Sequence, residues 1–245
     1  MLLRAEIQNL CQAFLAGLNK ALGEKLFGVY LYGALAFPDA GPLGDIDFHV
    51  IVNSALDSQE RVLIQRLHAT LTNDFPPLGG ELDGYYILLD DARQRTPPQD
   101  QLRDGLHDVS WALHCAHIRR GRCIVLHGPD PLEVYPEVTW FELEQALTGE
   151  LDFIVENLNR YPAFCVLNLC RLLYSYETRD VVISKRFSAG WASSEFPEWN
   201  SLIESARNYY DRRATLDDKN LLVSKVGSFY TFAGGQIEKS KRKAR

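Results

Sequence analysis

The stretch GVYLYGALAFPDAGPLGDIDFHVIV, residues 28–52, decides the fold of this chain. It is typical of an apolar strand, a glycine turn at Gly33, a linker, and a second apolar strand that opens with Asp45-Ile46-Asp47. Because successive side chains of a strand point to opposite faces, Asp45 and Asp47 are predicted to share one face, about 6–7 Å apart. Two carboxylates held so close repel each other unless cations lie between them. Mg²⁺ prefers oxygen ligands and keeps substrate phosphates in its shell. The pattern therefore predicts Asp45 and Asp47 as ligands of a metal used in phosphoryl transfer.

Two further features support this interpretation. Gly33 stands where the first strand ends, and without a side chain there the backbone can approach a triphosphate and present N–H groups to it. A third strand is predicted over 82–89, in LDGYYILL, and Glu81 and Asp83 are expected to share one of its faces. Either carboxylate could complete the acidic cluster from a neighbouring strand.

The order of predicted elements indicates an α+β fold with two domains. Helical and strand patterns alternate in the first part, from a helix over 1–22 to a short strand near CIVLHG at 123–128. From Thr139 onward the apolar spacing is helical almost throughout. We therefore predict a mixed-sheet domain over 1–135 and an all-helical domain over 136–245 that ends in a basic tail.

Composition excludes several classes of protein. The chain has 245 residues, of which 46% are hydrophobic, and its mean hydropathy is −0.18, values typical of a globular protein. No apolar run approaches the roughly 18 residues that span a bilayer, and Glu6 interrupts the segment where a signal peptide would be apolar. Five cysteines without a CxxC pair indicate neither a disulfide framework nor a zinc ribbon. We expect a cytoplasmic protein with no membrane partner.

The charge balance bears on the partners. The net charge is −6, and the tail KSKRKAR carries five of the 26 basic residues, so the remainder of the chain is at −11. A body this acidic argues against nucleic acid as a partner, because a nucleic-acid binder needs a basic face. It is compatible with metal ions or with a cationic small-molecule substrate.

The segments that carry these features resemble a known family. YGALAF…GDIDFHV resembles the signature of the nucleotidyltransferase superfamily, whose palm is like that of polymerase beta. Three later segments are similar to successive segments of the aminoglycoside nucleotidyltransferases of the streptomycin/spectinomycin 3''-adenylyltransferase type: LDGYYILLDDAR, RRGRCIVLHGPDPLEVYPEV and VLNLCRLLYSYETRDVVISKRFSAGWA. The resemblance covers roughly residues 25–240.

The resemblance implies transfer of AMP from ATP to a hydroxyl of an aminoglycoside, with release of pyrophosphate and dependence on Mg²⁺. Asp45 and Asp47 fall on the positions that hold Mg²⁺. Asp83 falls where the family has an acidic general base, commonly Glu. Gly33 and Ala34 fall on the phosphate-binding turn, where the family has Gly-Ser, and Lys185 matches a lysine region that lies near the nucleotide. Ala34 therefore lacks the family's phosphate-binding hydroxyl.

Three side chains are candidate contacts of the acceptor. Glu81 would hold a cationic group, Tyr174 would line the acceptor site, and Glu177 would bind a substrate ammonium. A solvated helix face explains Glu177 equally well, and core packing explains Tyr174. Gly44 stands where the family usually has a serine before the Asp-x-Asp.

Two alternatives to this function stay open. One is an enzyme of the same fold with a protein or RNA acceptor, and the other is a non-catalytic descendant that binds nucleotide or ligand. Among the histidines, His114 and His117 lie three residues apart on a predicted helix and could share a metal, although ordinary packing explains them better. His49 is expected to share a face with Asp47 and to serve packing rather than catalysis.

Overall fold

The computed structural model describes residues 3–39 and 44–243. These residues divide into two compact units. The first contains residues 3–38 and 44–138, and the second contains Asp39 and residues 139–243.

A four-stranded mixed sheet organises the first unit. Its strands are β1 (Leu26–Leu31), β2 (Ile46–Val52), β3 (Leu82–Leu88) and β4 (Ile124–His127), in the order β3-β2-β1-β4. β1 runs antiparallel to β2 and β4, whereas β2 and β3 are parallel. A parallel pair needs a crossover, which contains α2 (Ser58–Asp74) here. The crossover brings the first residues of β2 and β3 to the same edge of the sheet.

The two faces of this sheet have different coverings. One face packs against α1 (Ala5–Leu22) and α2 through a cluster that includes Phe14, Phe48 and Val50. The other face carries Tyr30 and Ile51 and packs against Trp111 at the start of α4 (Trp111–Arg119). Because side chains alternate along a strand, Asp47, His49 and Ile51 all point to this second face, as do Asp83 and Tyr85 on β3.

Local capping signals set the helix starts. Asp57 begins α2 with a capping box. Its carboxylate accepts from the backbone N–H of Glu60, and the Glu60 carboxylate accepts from the N–H of Asp57.

The position of Glu81 differs from the prediction. Glu81 ends a short 3-10 turn, Leu78–Glu81, and lies just outside the third strand. The short helix α3 (Leu89–Ala92) follows β3 directly.

The second unit contains helices and no strand among its described residues. It contains α5 (Trp140–Asn157), α6 (Pro162–Thr178), α7 (Lys185–Glu195), α8 (Asn200–Tyr210) and α9 (Leu216–Lys243). α6 packs against each of the other four helices, so its side chains are buried on nearly every side. Ser184 caps α7 by accepting a hydrogen bond of 3.0 Å from the N–H of Phe187. The predicted α+β fold with a helical C-terminal part is confirmed.

No helix among the described residues combines the length and apolar character that crossing a membrane requires.

Candidate active site

The glycine turn after β1 is built around the carboxylate of Asp47. Gly33 has φ +66°, the left-handed region that favours glycine, and opens a 3-10 turn, Gly33–Ala36. A Cβ on Gly33 would lie 1.7 Å from Oδ2 of Asp47, so the carboxylate lies directly against the glycine Cα. The backbone N–H of Tyr32 donates to the carbonyl of Asp47 over 3.0 Å. The glycine is therefore required both by its φ and by the contact.

The predicted acidic residues lie at one edge of the sheet. Asp47 pairs with Asp83 in the parallel register of β2 and β3, and paired positions on adjacent strands are about 4.8 Å apart with side chains on the same face. Asp45 lies immediately before β2 and is exposed, as is Asp83, while Asp47 is half-buried. The structure thus brings together Gly33, Asp47 and Asp83, with Asp45 two residues away along the chain.

This donor set suits a hard divalent cation. It offers carboxylate oxygens only, two of the three acidic side chains are exposed, and Gly33 has no Cβ that would displace the Asp47 carboxylate. Mg²⁺ binds proteins through one or two carboxylates and completes its shell with water and phosphate oxygens. The residues present therefore fit Mg²⁺.

A buried polar cluster adjoins Asp47 on the same face of the sheet. His49 is fully buried and Asp108 is 1% exposed. Oδ2 of Asp108 lies 2.7 Å from Nδ1 of His114 and 3.3 Å from Nε2 of His49. The ring of Tyr32 packs against both histidines, with centroid distances of 4.3 Å to His49 and 4.5 Å to His114. We call these residues, Tyr32, His49, Asp108 and His114, the histidine–aspartate cluster.

Burial and charge fix the protonation of this cluster. Burial lowers the pKa of His49 to about 4, against the opposing effect of Asp108, so the imidazole is neutral at pH 7. Burial alone would raise the pKa of Asp108, but His114 and His49 hold it well below its usual range. The pKa of Tyr32 is raised well above its ordinary value by burial and by the carboxylates of Asp108 and Asp47. Asp108 is therefore an anion buried among neutral aromatic groups and His114.

Sequence reasoning missed this cluster. It associated His114 with His117, but the ring of His117 packs against Phe37 with centroids 5.6 Å apart, whereas His114 contacts Asp108 and Tyr32. Asp108 follows a polar, proline-containing segment. The one feature of the sequence that could have indicated it is its position just before α4.

The predicted nucleotide contact Lys185 belongs to the helical unit. Lys185 is the first residue of α7, and its Nζ lies 4.6 Å from the ring centroid of Phe164. It lines a small pocket together with Arg186, Arg207 and Asp211, and the Asp211 carboxylate lies 2.7 Å from the Arg186 guanidinium.

Tyr174 and Glu177 lie on α6. The ring of Tyr174 packs edge-on against Phe187 and Trp191, with centroids 6.0 and 5.3 Å away. The carboxylate of Glu177 accepts a hydrogen bond of 2.7 Å from Ser240 Oγ and lies 3.3 Å from Lys243 Nζ on α9. Both side chains thus have structural partners within the helical unit.

The chain is similar to aminoglycoside adenylyltransferases in sequence over part of its length and in fold over nearly all of it. Residues 133–233 match the family model of the aminoglycoside adenylyltransferase C-terminal domain. Among solved structures, the chain is similar to spectinomycin adenyltransferase AAD(9) from Enterococcus faecialis, whose crystal structure was determined with ATP and spectinomycin. The match has a TM-score of 0.77 and 18% sequence identity, and it covers 94% of this chain and 99% of that one. No curated protein matches the chain significantly in sequence.

These findings confirm the resemblance to the aminoglycoside adenylyltransferases that the sequence segments indicate. The matched family model covers most of the helical unit, and the structural likeness extends the same fold over nearly the whole chain. Together they support a nucleotidyltransferase enzyme.

Proposed function

We propose that this protein transfers AMP from ATP to a hydroxyl of an aminoglycoside-type acceptor and releases pyrophosphate, with Mg²⁺ as the metal. The observation that carries the proposal is the contact of the Asp47 carboxylate with Gly33, beside Asp83 on the adjacent parallel strand. A phosphate-binding turn and two carboxylates are the parts that phosphoryl transfer needs, because positioning and charge neutralisation supply most of its catalysis.

Each residue has a defined role in this reaction. Asp45 and Asp47 would hold Mg²⁺, which when bound neutralises charge on the phosphates. The backbone of Gly33 and Ala34 would orient the triphosphate, and Lys185 stays a prediction as a nucleotide contact. The carboxylate of Asp83 takes the proton of the acceptor hydroxyl as its oxygen attacks the α-phosphorus. The bond from that phosphorus to the pyrophosphate oxygen breaks, and pyrophosphate leaves with the electron pair.

The charge of the chain and its structural neighbour support this acceptor class. The acidic body of the chain favours a polycationic acceptor, and AAD(9) was solved with spectinomycin. Glu81, Tyr174 and Glu177 stay predictions as acceptor contacts. For Glu177, binding an ammonium would compete with Ser240 and Lys243, so it is the weakest member of that set.

The direct test is release of pyrophosphate by the purified protein with Mg²⁺ and each of the four nucleoside triphosphates. The assay is run with spectinomycin, with streptomycin and without acceptor, and Asp45→Asn serves as the inactive control. We expect release that depends on both ATP and an aminoglycoside and that the variant loses. Nucleotide binding without turnover for any acceptor would instead favour a binding-only descendant.

Asp83→Asn is expected to lower kcat by about 10²–10⁴-fold with little change in the KM for ATP, because a general base contributes to the chemical step. Asp83→Glu should retain activity, since it keeps the carboxylate that the related enzymes commonly carry there. Steady-state kinetics of both variants provide the measurement, with Asp74→Asn at the exposed end of α2 as the control. Equal activity of Asp83→Asn and the wild type would remove Asp83 from the reaction.

Ala34→Ser tests the proposed phosphate-binding turn, because the substitution adds a hydroxyl. Ala34 is exposed in the turn that Gly33 opens, so a serine hydroxyl there has room to bond a phosphate oxygen. A hydrogen bond to a charged group contributes about 1.5 kcal/mol or more, so we expect the KM for ATP to fall by about tenfold. Ala69→Ser, on the exposed side of α2, should leave the KM unchanged. An unchanged KM in both variants would place the triphosphate elsewhere.

A further inference from the structure

The histidine–aspartate cluster contains the elements of a second, different metal site. His49 comes from β2, Asp108 from the segment before α4, and His114 from α4 itself. One donor atom from each lies within 4.8 Å of the donor atoms of the other two. Three potential ligands from three separate elements thus converge inside the first unit.

The donors differ in kind from those of the acidic edge. Two imidazole nitrogens and one carboxylate suit Zn²⁺ and its neighbours in the first transition row, whereas Mg²⁺ favours an all-oxygen set. His49 and Asp108 are buried, while the side chain of His114 is 22% exposed, which leaves one side of the cluster open to solvent. Three protein ligands with one open position are the arrangement of zinc sites that keep a bound water.

The surroundings of His49 indicate that one of its nitrogens is oriented for a ligand. Nδ1 lies 3.2 Å from the hydroxyl of Tyr135, and this contact holds the orientation of the ring. Nε2 is fully buried and makes no well-formed hydrogen bond with any described residue, although Oδ2 of Asp108 lies 3.3 Å away. A histidine whose far nitrogen is held by a polar partner and whose near nitrogen points into a donor cluster is the usual setting of a metal ligand.

From this geometry we propose that His49, Asp108 and His114 bind one Zn²⁺-class ion, with solvent water in the remaining position. The ion would link the segment before α4, and α4 itself, to β2. Its ligand on β2, His49, is two residues from Asp47. The ion would thereby stabilise the strand that carries the acidic edge. The proposal concerns metal binding alone and does not depend on the proposed AMP transfer.

The test is metal binding to the full chain after removal of metals with a chelator. Equilibrium dialysis with Zn²⁺ in excess Mg²⁺, followed by elemental analysis, gives the stoichiometry, and we expect one Zn²⁺ per chain. His114→Gln should raise the dissociation constant at least about tenfold, since even outer-shell partners of metal ligands are worth about 10–100-fold. His107→Gln is the matched control, because His107 is exposed in the same segment and contacts the Gly105 carbonyl instead.

Two measurements keep the test decisive. Asp45→Asn should bind Zn²⁺ as the wild type does, and loss of binding there would assign the ion to the acidic edge and overturn the proposal. Co²⁺ in place of Zn²⁺ should give the intense visible absorption of a low-coordinate site with nitrogen ligands in the wild type, a result that needs no variant to fold. Substoichiometric Zn²⁺, absence of that absorption, or equal affinity in His114→Gln would each overturn the site and leave the cluster as a hydrogen-bonded core.

Discussion

Asp47→Asn is expected to lower AMP transfer by at least about 10³-fold while the protein stays folded. The substitution keeps the shape of the side chain that lies against Gly33 and removes the negative charge that would hold Mg²⁺. A metal site contributes several kcal/mol of transition-state stabilisation, and each 1.36 kcal/mol is about tenfold in rate. The measurement is initial-rate pyrophosphate release over a range of Mg²⁺ concentrations, together with a thermal melt.

The control for this prediction is Asp90→Asn, because Asp90 is an exposed carboxylate in the first turn of α3. It removes the same charge from the same unit and should leave the rate unchanged. If Asp47→Asn kept more than about a tenth of the wild-type rate at saturating Mg²⁺, Asp47 would not be a metal ligand.

Gly33→Ala is expected to reduce activity by about 10²-fold or more and to lower the melting temperature. The added Cβ would lie 1.7 Å from Oδ2 of Asp47, so the carboxylate or the turn must move, and misplacement of a reacting group by about 1 Å can cost 10²-fold. The backbone at φ +66° adds a further penalty of about 1–2 kcal/mol for a residue with a Cβ.

The structure offers a control that separates these two effects. Gly121 has φ +78°, and a Cβ added there meets nothing within 4 Å. Gly121→Ala should therefore lower the melting temperature through backbone strain alone and leave turnover unchanged. Equal loss of activity in both variants would mean that strain, and not the contact with Asp47, governs the effect of Gly33→Ala.

The local parts of the site could be predicted from sequence because short-range rules determine them. Alternation along β2 puts Asp47 and His49 on one face, and the glycine after β1 predicts a turn. The pairing of Asp47 with Asp83 required the parallel register of β2 and β3, which the pattern of strands alone does not specify.

Contacts between distant residues account for what the sequence could not predict. Asp108 meets His49 because its segment folds back, with its backbone N–H donating to the carbonyl of Pro98 over 3.0 Å. Nothing in a polar, proline-containing stretch indicates which strand it will cover. In the same way, Glu177 on α6 reaches Ser240 near the end of α9, a contact that helical periodicity does not reveal.

The difference between the apolar face and the acidic face of the sheet has a consequence for laboratory evolution. The face covered by α1 and α2 is apolar, with Phe14 and Phe48 fully or almost fully buried, whereas the opposite face carries Asp47 and Asp83. Repacking of the first face should therefore change heat resistance while leaving the acidic side chains themselves unaltered, because the two sets of side chains lie on opposite faces of the sheet. A library aimed at thermostability can be confined to that apolar layer, and a library aimed at new acceptors can leave it untouched.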